Sequence, residues 1–388
     1  MNDVNSRLIR LQRMSLIVAA LGALLSAVAL LLDADRFLHS YLFAFCYWTG
    51  ASLGCMGILM LHYLTGGRWG LLIRRPLEAG ALALPIMFVL ILPILAFLPH
   101  IYSWSRPAAM DEPTILQKAA YLNSGFFVMR TIIYFVLWIL LATLLRRWSL
   151  DTDRGDAGSI DKLSTLSAPG LLLYVLTASF AAMDWGMSLE PAWYSSIYGL
   201  IFIIGQALSG IVVCILIMRY LVETESLMQT VTAQDFNDFG NLLLVFVMLT
   251  AYMSLSQFLI IWSGNIPDEP IWYLRRAQGG WQWVAALLAA ILFLAPFLIL
   301  LFRSAKRNPR ALAGVAVLVG AAHAVELYWL IIPAFEVNAL PHLSDFAALL
   351  LLGGLWTARF VDVLKRAPLL PGHALELSVQ TKEQESAI

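Results

Sequence analysis

The chain has 388 residues, of which 60% are hydrophobic and only 13% are charged, and its formal net charge is zero. A soluble domain is nearer half apolar and a quarter charged, so this composition predicts an all-α polytopic membrane protein. Zero net charge gives no indication of a nucleic-acid partner or of an anionic surface as partner. The three cysteines lie in apolar runs without CxxC spacing, which argues against a disulfide framework, an iron–sulfur site or a c-type haem attachment.

Ten apolar segments are long enough to cross a bilayer, which takes about 20 residues. The first follows Arg7, Arg10 and Arg13, and no small-residue cleavage pattern follows it, so we expect a retained span and not a signal peptide. The loops between the segments are too short to fold alone. The predicted spans are 14–32, 41–65, 77–99, 121–145, 166–183, 195–221, 237–262, 281–302, 310–332 and 343–364.

The distribution of Lys and Arg predicts the orientation of these spans. With ten spans, 18 of the 25 basic residues fall on the side that carries both termini, and five fall on the other side. Cytoplasmic loops of membrane proteins are enriched in Lys and Arg. We therefore expect a multi-pass protein of the bacterial inner membrane with both termini in the cytoplasm.

The second and sixth predicted spans are both rich in Gly, Ala and Ser, which lets membrane helices approach closely. Because they are four spans apart, they run in the same direction. This favours a parallel repeat of two four-helix bundles, at 41–183 and 195–332. The segments 14–32 and 343–364 would then be flanking helices, followed by a cytoplasmic tail at 365–388. The alternative is that the two spans merely share a composition common in membranes.

Two polar residues in the ninth predicted span give the clearest functional indication. His323 and Glu326 are three residues apart and therefore lie on one helix face near mid-depth. An ionisable group in the hydrocarbon is costly and tends to face a cavity or a partner. The pair fits two roles, a proton relay or a structural hydrogen bond that fixes the rotation of the helix.

Charged residues near the outer side form a second group of candidates for a proton path. Arg130 in the fourth span fits a buried ion pair with a carboxylate such as Asp184, which we expect, or a hydrogen bond to a quinone carbonyl. Asp184 and Glu190 lie in a short outer loop beside tryptophans. This loop fits a proton exit, a docking point or a solvated surface.

Further candidates for a proton path lie near the ends of other spans. Asp238 and Asn241 share a face at the inner start of the seventh span and fit a proton entrance, although helix capping explains part of this pattern. Gln257 lies near the outer end of the same span. His62 and Glu78 flank an inner turn and are predicted to be interfacial, with Glu78 at a helix N-terminus favoured by the helix dipole.

The loop at 263–280 combines prolines, acids, aromatics and arginines between two apolar runs. Trp and Tyr suit the headgroup level of a membrane because one end of each ring is apolar and the other polar. We expect this loop to face outward and to contact a partner or guard an entrance. Its candidate contact residues are Asn265, Asp268, Glu269, Trp272, Tyr273, Arg275 and Arg276.

A haem held by two histidines would need facing residues at matched depth. His62 is predicted near the inner surface and His323 near the middle, and the other four histidines fall in loops or the tail. The sequence also has no phosphate-binding Gly-rich loop, nucleophile constellation or metal cluster. We therefore expect that this chain binds no cofactor of its own and has no catalytic residue.

Four stretches together resemble the ActF subunit of bacterial alternative complex III, a quinol:cytochrome c or electron-acceptor oxidoreductase. The third of them is long and specific, and together they extend over most of the ten spans. They are HYLTGGRWGLLIRRPLEA (62–79), MDWGMSLEPAWYSSIYG (183–199), QFLIIWSGNIPDEPIWYLRR (257–276) and HAVELYWLIIP (323–333).

The resemblance implies an integral membrane protein of the NrfD/PsrC group, which has two four-helix bundles with flanking helices. In that family the subunit lies beside a related quinol-binding membrane subunit, an iron–sulfur protein and a multihaem cytochrome c. It is itself a candidate proton-conducting element without a redox centre. The quinol, c-type haems and iron–sulfur clusters would then belong to the other subunits.

Two positions depart from the family pattern. Ala192 follows Glu-Pro where the family usually has a His, which removes a titratable group on the outer side. Glu326 stands where Asp is common, which keeps an acid. A proton exit through position 192 is therefore in doubt.

The sequence leaves two other functions open. The chain could bind and oxidise quinol itself, with Arg130, Asp184 or His323 near the headgroup, but the sequence offers no matched donor and acceptor pair. It could also be a secondary transporter, which the parallel repeat fits. Prolines well inside the spans occur only in the third and eighth, which are not corresponding positions of the two halves.

Overall fold

The computed structural model describes residues 2–107, 112–156, 158–223, 230–267 and 269–369. Its ten long helices are apolar enough to cross a membrane, which confirms the predicted all-α polytopic membrane protein. We number them as spans 1 to 10. Their bounds are Asp3–Leu32, Ala34–Thr65, Arg68–Ala96, Ser124–Asp153, Gly158–Leu189, Tyr198–Leu221, Ala233–Gly264, Trp281–Leu301, Pro309–Ala334 and Leu343–Leu364.

Several helices extend beyond the apolar segments that predicted them. Span 3 begins at Arg68 instead of 77, and span 4 continues to Asp153 instead of 145. The extensions lie mainly at the end of the molecule that carries the N-terminus, where charged residues pair with one another. We call this the basic end, and the opposite end, with the loop 263–280, the distal end.

Short helices connect or end the spans. At the distal end they are Leu98–Ile101, Ser103–Ser105, Pro113–Lys118 and Ile271–Arg276, and at the basic end Arg303–Arg307. Polar side chains cap several spans and so satisfy N–H groups that have no partner in the first turn. Thr232 and Asp235 form a reciprocal capping box at the start of span 7.

We call spans 2 to 5 the first bundle and spans 6 to 9 the second bundle. Spans 2 to 5 pack around one another, and so do spans 6 to 9. The bundles meet most closely where span 2 crosses span 6. A methyl group on Gly54 would lie 1.6 Å from the backbone oxygen of Gln206, so only glycine permits this approach.

Spans 1 and 10 pack against each other and flank the two bundles. Span 10 is joined to span 2 by polar contacts near the distal end, where Arg36 and Ser40 bond to the two carboxylate oxygens of Asp345 at 2.9 and 2.7 Å. Deeper in the fold, Trp356 donates a hydrogen bond of 2.7 Å to Ser52. The flanking pair is therefore anchored to the first bundle.

Two spans are interrupted. Span 3 consists of Arg68–Ala81, Leu84–Leu90 and Leu92–Ala96, and proline stands at the start of the second and third pieces. Span 8 contains a π-helical segment, Ala289–Leu294, just before Pro296. Proline lacks an N–H and clashes with the preceding turn, which accounts for both interruptions. The second one borders the cavity described below.

Candidate functional site

The predicted His323 and Glu326 form a buried hydrogen-bonded pair in span 9. The Nδ1 atom of His323 lies 2.8 Å from Oε2 of Glu326, and their side chains are only 4% and 8% exposed. Each residue adds about 1.5 Å along a helix, which puts Glu326 about 26 Å from Pro309 and within the distal third of span 9. Glu326 is thus deeper toward the distal end than the mid-depth that the sequence predicted.

Span 6 makes room for the imidazole. A methyl group on Gly205 would lie 2.3 Å from Cε1 of His323, so the ring packs directly against the backbone of span 6. The Tyr47 ring of span 2 approaches the same imidazole, with ring centres 5.9 Å apart. The titratable pair is therefore positioned where the two bundles meet.

A cavity of about 950 Å³ borders Glu326. Spans 7 and 8, the loop 263–280 and the distal end of span 9 form its walls. The walls are mostly apolar, and the π-helical segment of span 8 supplies Ala289, Leu292 and Phe293. No feature of the sequence predicted this cavity, because it depends on the separation of two spans.

Gln257 is buried where the cavity meets the distal loops. Its amide oxygen accepts a hydrogen bond of 2.9 Å from Ser195, and its amide nitrogen donates one of 3.4 Å to the Tyr273 hydroxyl. Burial of the Tyr273 ring raises the pKa of its hydroxyl. Gln257 therefore connects span 7 to both neighbouring loops.

Arg276 and Glu190 close the distal end of the second bundle. The Arg276 guanidinium bonds to Glu190 at 3.1 Å and to the backbone oxygens of Trp329 and Leu330, and it stacks on the Trp272 ring at 3.5 Å. Burial lowers the pKa of Arg276 to about 10, while the Glu190 carboxylate opposes this shift. Glu190 is therefore part of an ion pair and not a free acid on a solvated loop.

Only some of the predicted contact residues in the loop 263–280 are available to a partner. Trp272 and Arg276 are buried within the chain, contrary to the prediction, because the loop folds back onto span 9. Tyr273 and Glu269 are partly exposed, whereas Asn265 and Arg275 are exposed. Asp268 lies outside the described residues.

In the first bundle, Arg130 and Asp184 form the ion pair expected from the sequence. Two nitrogens of the guanidinium bond to the two oxygens of the fully buried carboxylate at 2.9 and 2.7 Å. Tyr134 donates a third hydrogen bond to Asp184 at 2.8 Å, and the Tyr121 backbone oxygen accepts from Arg130 at 3.0 Å. Asp184 belongs to the end of span 5 and not to the loop predicted for it.

Glu78 was predicted as an interfacial residue at a helix N-terminus, and this was wrong. It is buried eleven residues into the helix Arg68–Ala81, because that helix begins well before the apolar segment. Arg75 bonds to its carboxylate at 2.5 Å, and Arg146 and Ser149 also donate to it. Arg74 lies 3.9 Å away. This cluster neutralises several charges near the basic end.

His62 is also buried, although the sequence predicted an interfacial position for it. Its ring packs directly against Gly70, where a methyl group would lie 2.0 Å from Nδ1, and it meets the edge of the Trp69 ring. Both contacts are formed by the first turn of span 3. His62 therefore helps to hold the start of span 3 against span 2.

The predicted proton entrance in span 7 contains a lysine that sequence reasoning missed. Lys306 is buried, and its ammonium group donates a hydrogen bond of 2.7 Å to Asn241. Its stem packs on Gly240, which leaves room for it. Asp238 accepts a hydrogen bond from Gln234 at 2.9 Å instead. Lys306 follows the last turn of span 8, so its only sequence signal was one basic residue in a basic loop.

Ala192 is exposed between the buried Leu189 and Trp193. A histidine at this position would therefore have its side chain at the surface. In the described part of the chain, no group of three or more His, Cys, Asp and Glu residues could hold a metal ion.

No protein-family model matches this chain, and no curated protein matches its sequence.

Proposed function

We propose that the chain is an integral membrane subunit of a quinol:electron-acceptor oxidoreductase of the alternative complex III type, in which it anchors partner subunits and conducts protons. The observation that carries this proposal is the buried His323–Glu326 pair, which borders a large cavity in the second bundle. The resemblance of four stretches to the ActF family supports the same assignment. The redox centres would belong to the partners, a related quinol-binding subunit, an iron–sulfur protein and a multihaem cytochrome c.

The pair is suited to proton transfer by its chemistry. Histidine changes its charge between pH 5 and 8, and a carboxyl that shares a hydrogen bond with it can exchange a proton without a large movement. At 2.8 Å the two groups are already within transfer distance. Because an ion in the hydrocarbon is costly, proton sharing also keeps the pair close to neutral overall.

At the basic end, the first part of the proton path would begin at span 7. Asp238 is partly exposed and lies one helical turn from Asn241, which is bonded to the buried Lys306. These groups can take up a proton from solution and hold it near the entrance. They lie near the first third of span 7, far from the histidine pair.

An apolar stretch separates this first part of the path from the His323–Glu326 pair. Between Asn241 and Thr250, span 7 carries only Leu, Val, Phe and Met, and between Arg310 and His323, span 9 carries only Ala, Leu, Gly and Val. At 1.5 Å per residue these gaps are about 14 and 20 Å long. Proton passage therefore requires water to enter between the spans, and the gap is where conduction would be gated.

The distal part of the proton path would lead from Glu326 through the cavity to the loops at the distal end. Gln257, Tyr273 and Ser195 form a hydrogen-bonded chain beside it. Arg276 and Glu190 block a direct route, because both are held in an ion pair. We propose that protons leave on the Gln257 side.

The direction of the proton path across the membrane would follow from the Lys and Arg residues at the basic end. We propose that the basic end faces the cytoplasm of a bacterial inner membrane and that both termini lie there. The distal end would then face outward and carry the partner subunits. Its exposed apolar side chains support a docking role, and they include Tyr194, Ile266, Ile271, Leu274, Val337 and Leu340.

Quinol oxidation at the first bundle is a weaker alternative. Arg130 and Asp184 already bond to each other and to Tyr134 and the Tyr121 backbone. A quinone there would have to displace these contacts. The transporter alternative is also weaker, because the interrupted spans are second in one bundle and third in the other.

Replacing Glu326 by Gln tests the proposal. The amide keeps the size and a hydrogen bond but holds no transferable proton, so we expect normal assembly and quinol oxidation with at least a tenfold loss of proton translocation in reconstituted vesicles. Glu326→Asp, which keeps the carboxyl, should retain much of it. Full translocation by E326Q would contradict the proton path. Loss of quinol oxidation with normal assembly would favour the quinol-oxidising alternative.

A further inference from the structure

A groove between spans 3 and 4 opens at the basic end of the first bundle, and we call it the arginine groove. Its volume is about 400 Å³. Leu82 of span 3 forms one wall, and Thr143 and Arg147 of span 4, which are one helical turn apart, form the other. Arg146 and Arg154 also line the groove. Three arginines therefore meet in one concave surface of the protein.

The arginine groove lies at the level of lipid headgroups. The apolar run of span 4 ends before Arg146, although the helix continues to Asp153. Arginines at the end of an apolar helix extend to the membrane–water interface. On the membrane side of the groove, the apolar side chains of Val136, Leu140 and Val89 are exposed. The groove therefore joins a basic surface to an apolar surface that lipid chains cover.

Arg147 is available to a ligand. Its side chain is exposed, and within the described residues it forms no hydrogen bond or ion pair. Arg146 is largely buried and bonds to Glu78 through a single nitrogen, Nη1. Arg154 bonds to Asp151 at 3.1 Å. Because Asp151 also borders the groove and would repel an anion, we expect an anion to lie nearer Arg146 and Arg147.

The buried cluster that adjoins Arg146 has an excess of positive charge. Arg74, Arg75 and Arg146 share two acids, Glu78 and Asp153. The Nε atoms of Arg74 and Arg75 are buried and have no hydrogen-bond partner among the described residues. A charge that is removed from water without full compensation is costly. An anion beside Arg146 would offset this excess.

We propose that the arginine groove binds an anionic phospholipid, with Arg146 and Arg147 holding the phosphate and an acyl chain lying along Leu140 and Val136. Guanidinium groups suit phosphate because their N–H donors match its oxygens. Basic pockets between membrane helices bind acidic headgroups in the same way. A free phosphate has the same head chemistry, but the exposed apolar surface beside the groove favours a lipid.

Phosphatidylcholine is a poorer ligand for this groove, since its choline cation would meet the excess of positive charge. The groove lies in the first bundle, whereas the His323–Glu326 pair lies in the second. Lipid binding here therefore goes beyond the proposed function, and it neither requires nor tests the proton path.

Two pairs of variants give a matched test. Arg147→Gln removes a charge from the groove, and Arg303→Gln removes one from another exposed arginine of the basic end that does not line it. Like Arg147, Arg303 forms no hydrogen bond or ion pair within the described residues. Thr143→Trp fills the groove without changing its charge, and Val136→Trp adds a similar bulk two turns away.

The full-length chain, freed of lipid in detergent, would be titrated with phosphatidylglycerol or phosphatidylcholine, and bound lipids would be counted by native mass spectrometry. We expect the first phosphatidylglycerol to bind the wild type about tenfold more tightly than phosphatidylcholine, and R147Q and T143W to weaken it about fivefold. R303Q and V136W should bind like the wild type. Equal weakening by R147Q and R303Q, or equal affinity of the wild type for the two lipids, would overturn the proposal.

Competition distinguishes a lipid from a soluble anion. Inorganic phosphate and glycerol 3-phosphate have the same anionic group and no acyl chain, so neither should displace phosphatidylglycerol at equal concentration. Displacement by either would overturn the proposal in favour of a soluble phosphate. Thermal unfolding gives a second measurement, because a ligand of the folded state raises its midpoint. Phosphatidylglycerol should raise the midpoint of R303Q more than that of R147Q, and equal shifts would contradict the groove as the site.

Discussion

Two buried acids of the first bundle and one of the second have different kinds of partner. In the first bundle, Asp184 is held by the guanidinium of Arg130 and the hydroxyl of Tyr134, and Glu78 by a group of arginines. In the second, Glu326 is paired with a histidine and borders a cavity. An arginine partner stays charged at all physiological pH values, whereas a histidine partner can release its proton.

The two kinds of pair have different roles in the fold. The acids paired with arginine join helices, as Asp184 joins spans 4 and 5 and Glu78 joins spans 3 and 4. The acid paired with histidine instead lies within one helix and borders the cavity. The first bundle therefore supplies rigidity, and the second supplies the proposed proton chemistry.

The largest expected effect follows from breaking the ion pair of the first bundle. Asp184→Asn leaves Arg130 charged and buried without its partner, which should lower the free energy of unfolding by about 3–5 kcal/mol. Thermal unfolding in detergent measures this. The double variant Arg130→Met with Asp184→Leu should recover much of the loss, since it buries no charge. Equal losses in the two proteins would mean that the ion pair itself, and not the orphaned charge, decides stability.

A smaller effect is expected from separating the two bundles. Gly54→Ala puts a methyl group against the Gln206 backbone and should lower the free energy of unfolding by about 1–3 kcal/mol. The matched control is Gly314→Ala in span 9, where a methyl group meets open space. There we expect stabilisation of about 0.5–1 kcal/mol, because alanine is the better helix former. Similar unfolding midpoints for the two variants would contradict the close crossing of spans 2 and 6.

Neutralising Glu326 in the second bundle should have a smaller effect on stability than neutralising Asp184 in the first. Glu326→Gln should change the free energy of unfolding by only about 1 kcal/mol or less, because the amide can still bond to His323 and leaves no strong charge unpaired. Chemical unfolding of E326Q beside D184N provides the contrast. A loss as large as that of D184N would mean that Glu326 is a structural anion like the acids of the first bundle.

The smallest effect concerns an exposed acid, which serves as a reference for the buried ones. Glu223 accepts hydrogen bonds from Arg219 and then Arg7, which lower its pKa from the usual 4.5. Its contribution is present above pH 4.5 and is lost as the pH falls through the lowered pKa. The protection of amides at residues 3–10 against exchange, measured relative to the intrinsic rate at each pH, should therefore fall slightly on acidification. Glu223→Gln should remove this pH dependence, and an unchanged profile would leave Glu223 without a role in holding span 1.

Much of the fold could be predicted from the sequence, because hydropathy reports directly whether a segment can cross a bilayer. The ten spans followed from it, and the Arg130–Asp184 pair followed from the cost of an unpaired charge in the membrane. The starts of the helices did not, since a helix can continue past the apolar segment when charges are paired. That is why Glu78 was predicted at a helix end and is in fact buried in a cluster.

The candidate site was only partly predictable. The spacing of His323 and Glu326 places them on one face, and this is a property of a single helix. The cavity, the burial of Lys306 and the return of Arg276 onto span 9 depend on how separate elements pack. No periodicity in one segment reports such contacts, so they required the structure.

The pairing of spans 1 and 10 has a consequence for synthesis in the cell. Gly22 and Gly354 lie in this seam, where a methyl group would meet the backbone of the opposite helix, so no other span fits the same surface as closely. Of the ten spans, span 1 leaves the ribosome first and its partner leaves last. At about 5–20 residues per second, span 1 waits roughly 15–60 s for span 10. During that interval the glycine seam of span 1 lacks the helix that covers it, and a protein truncated before span 10 would leave that seam uncovered.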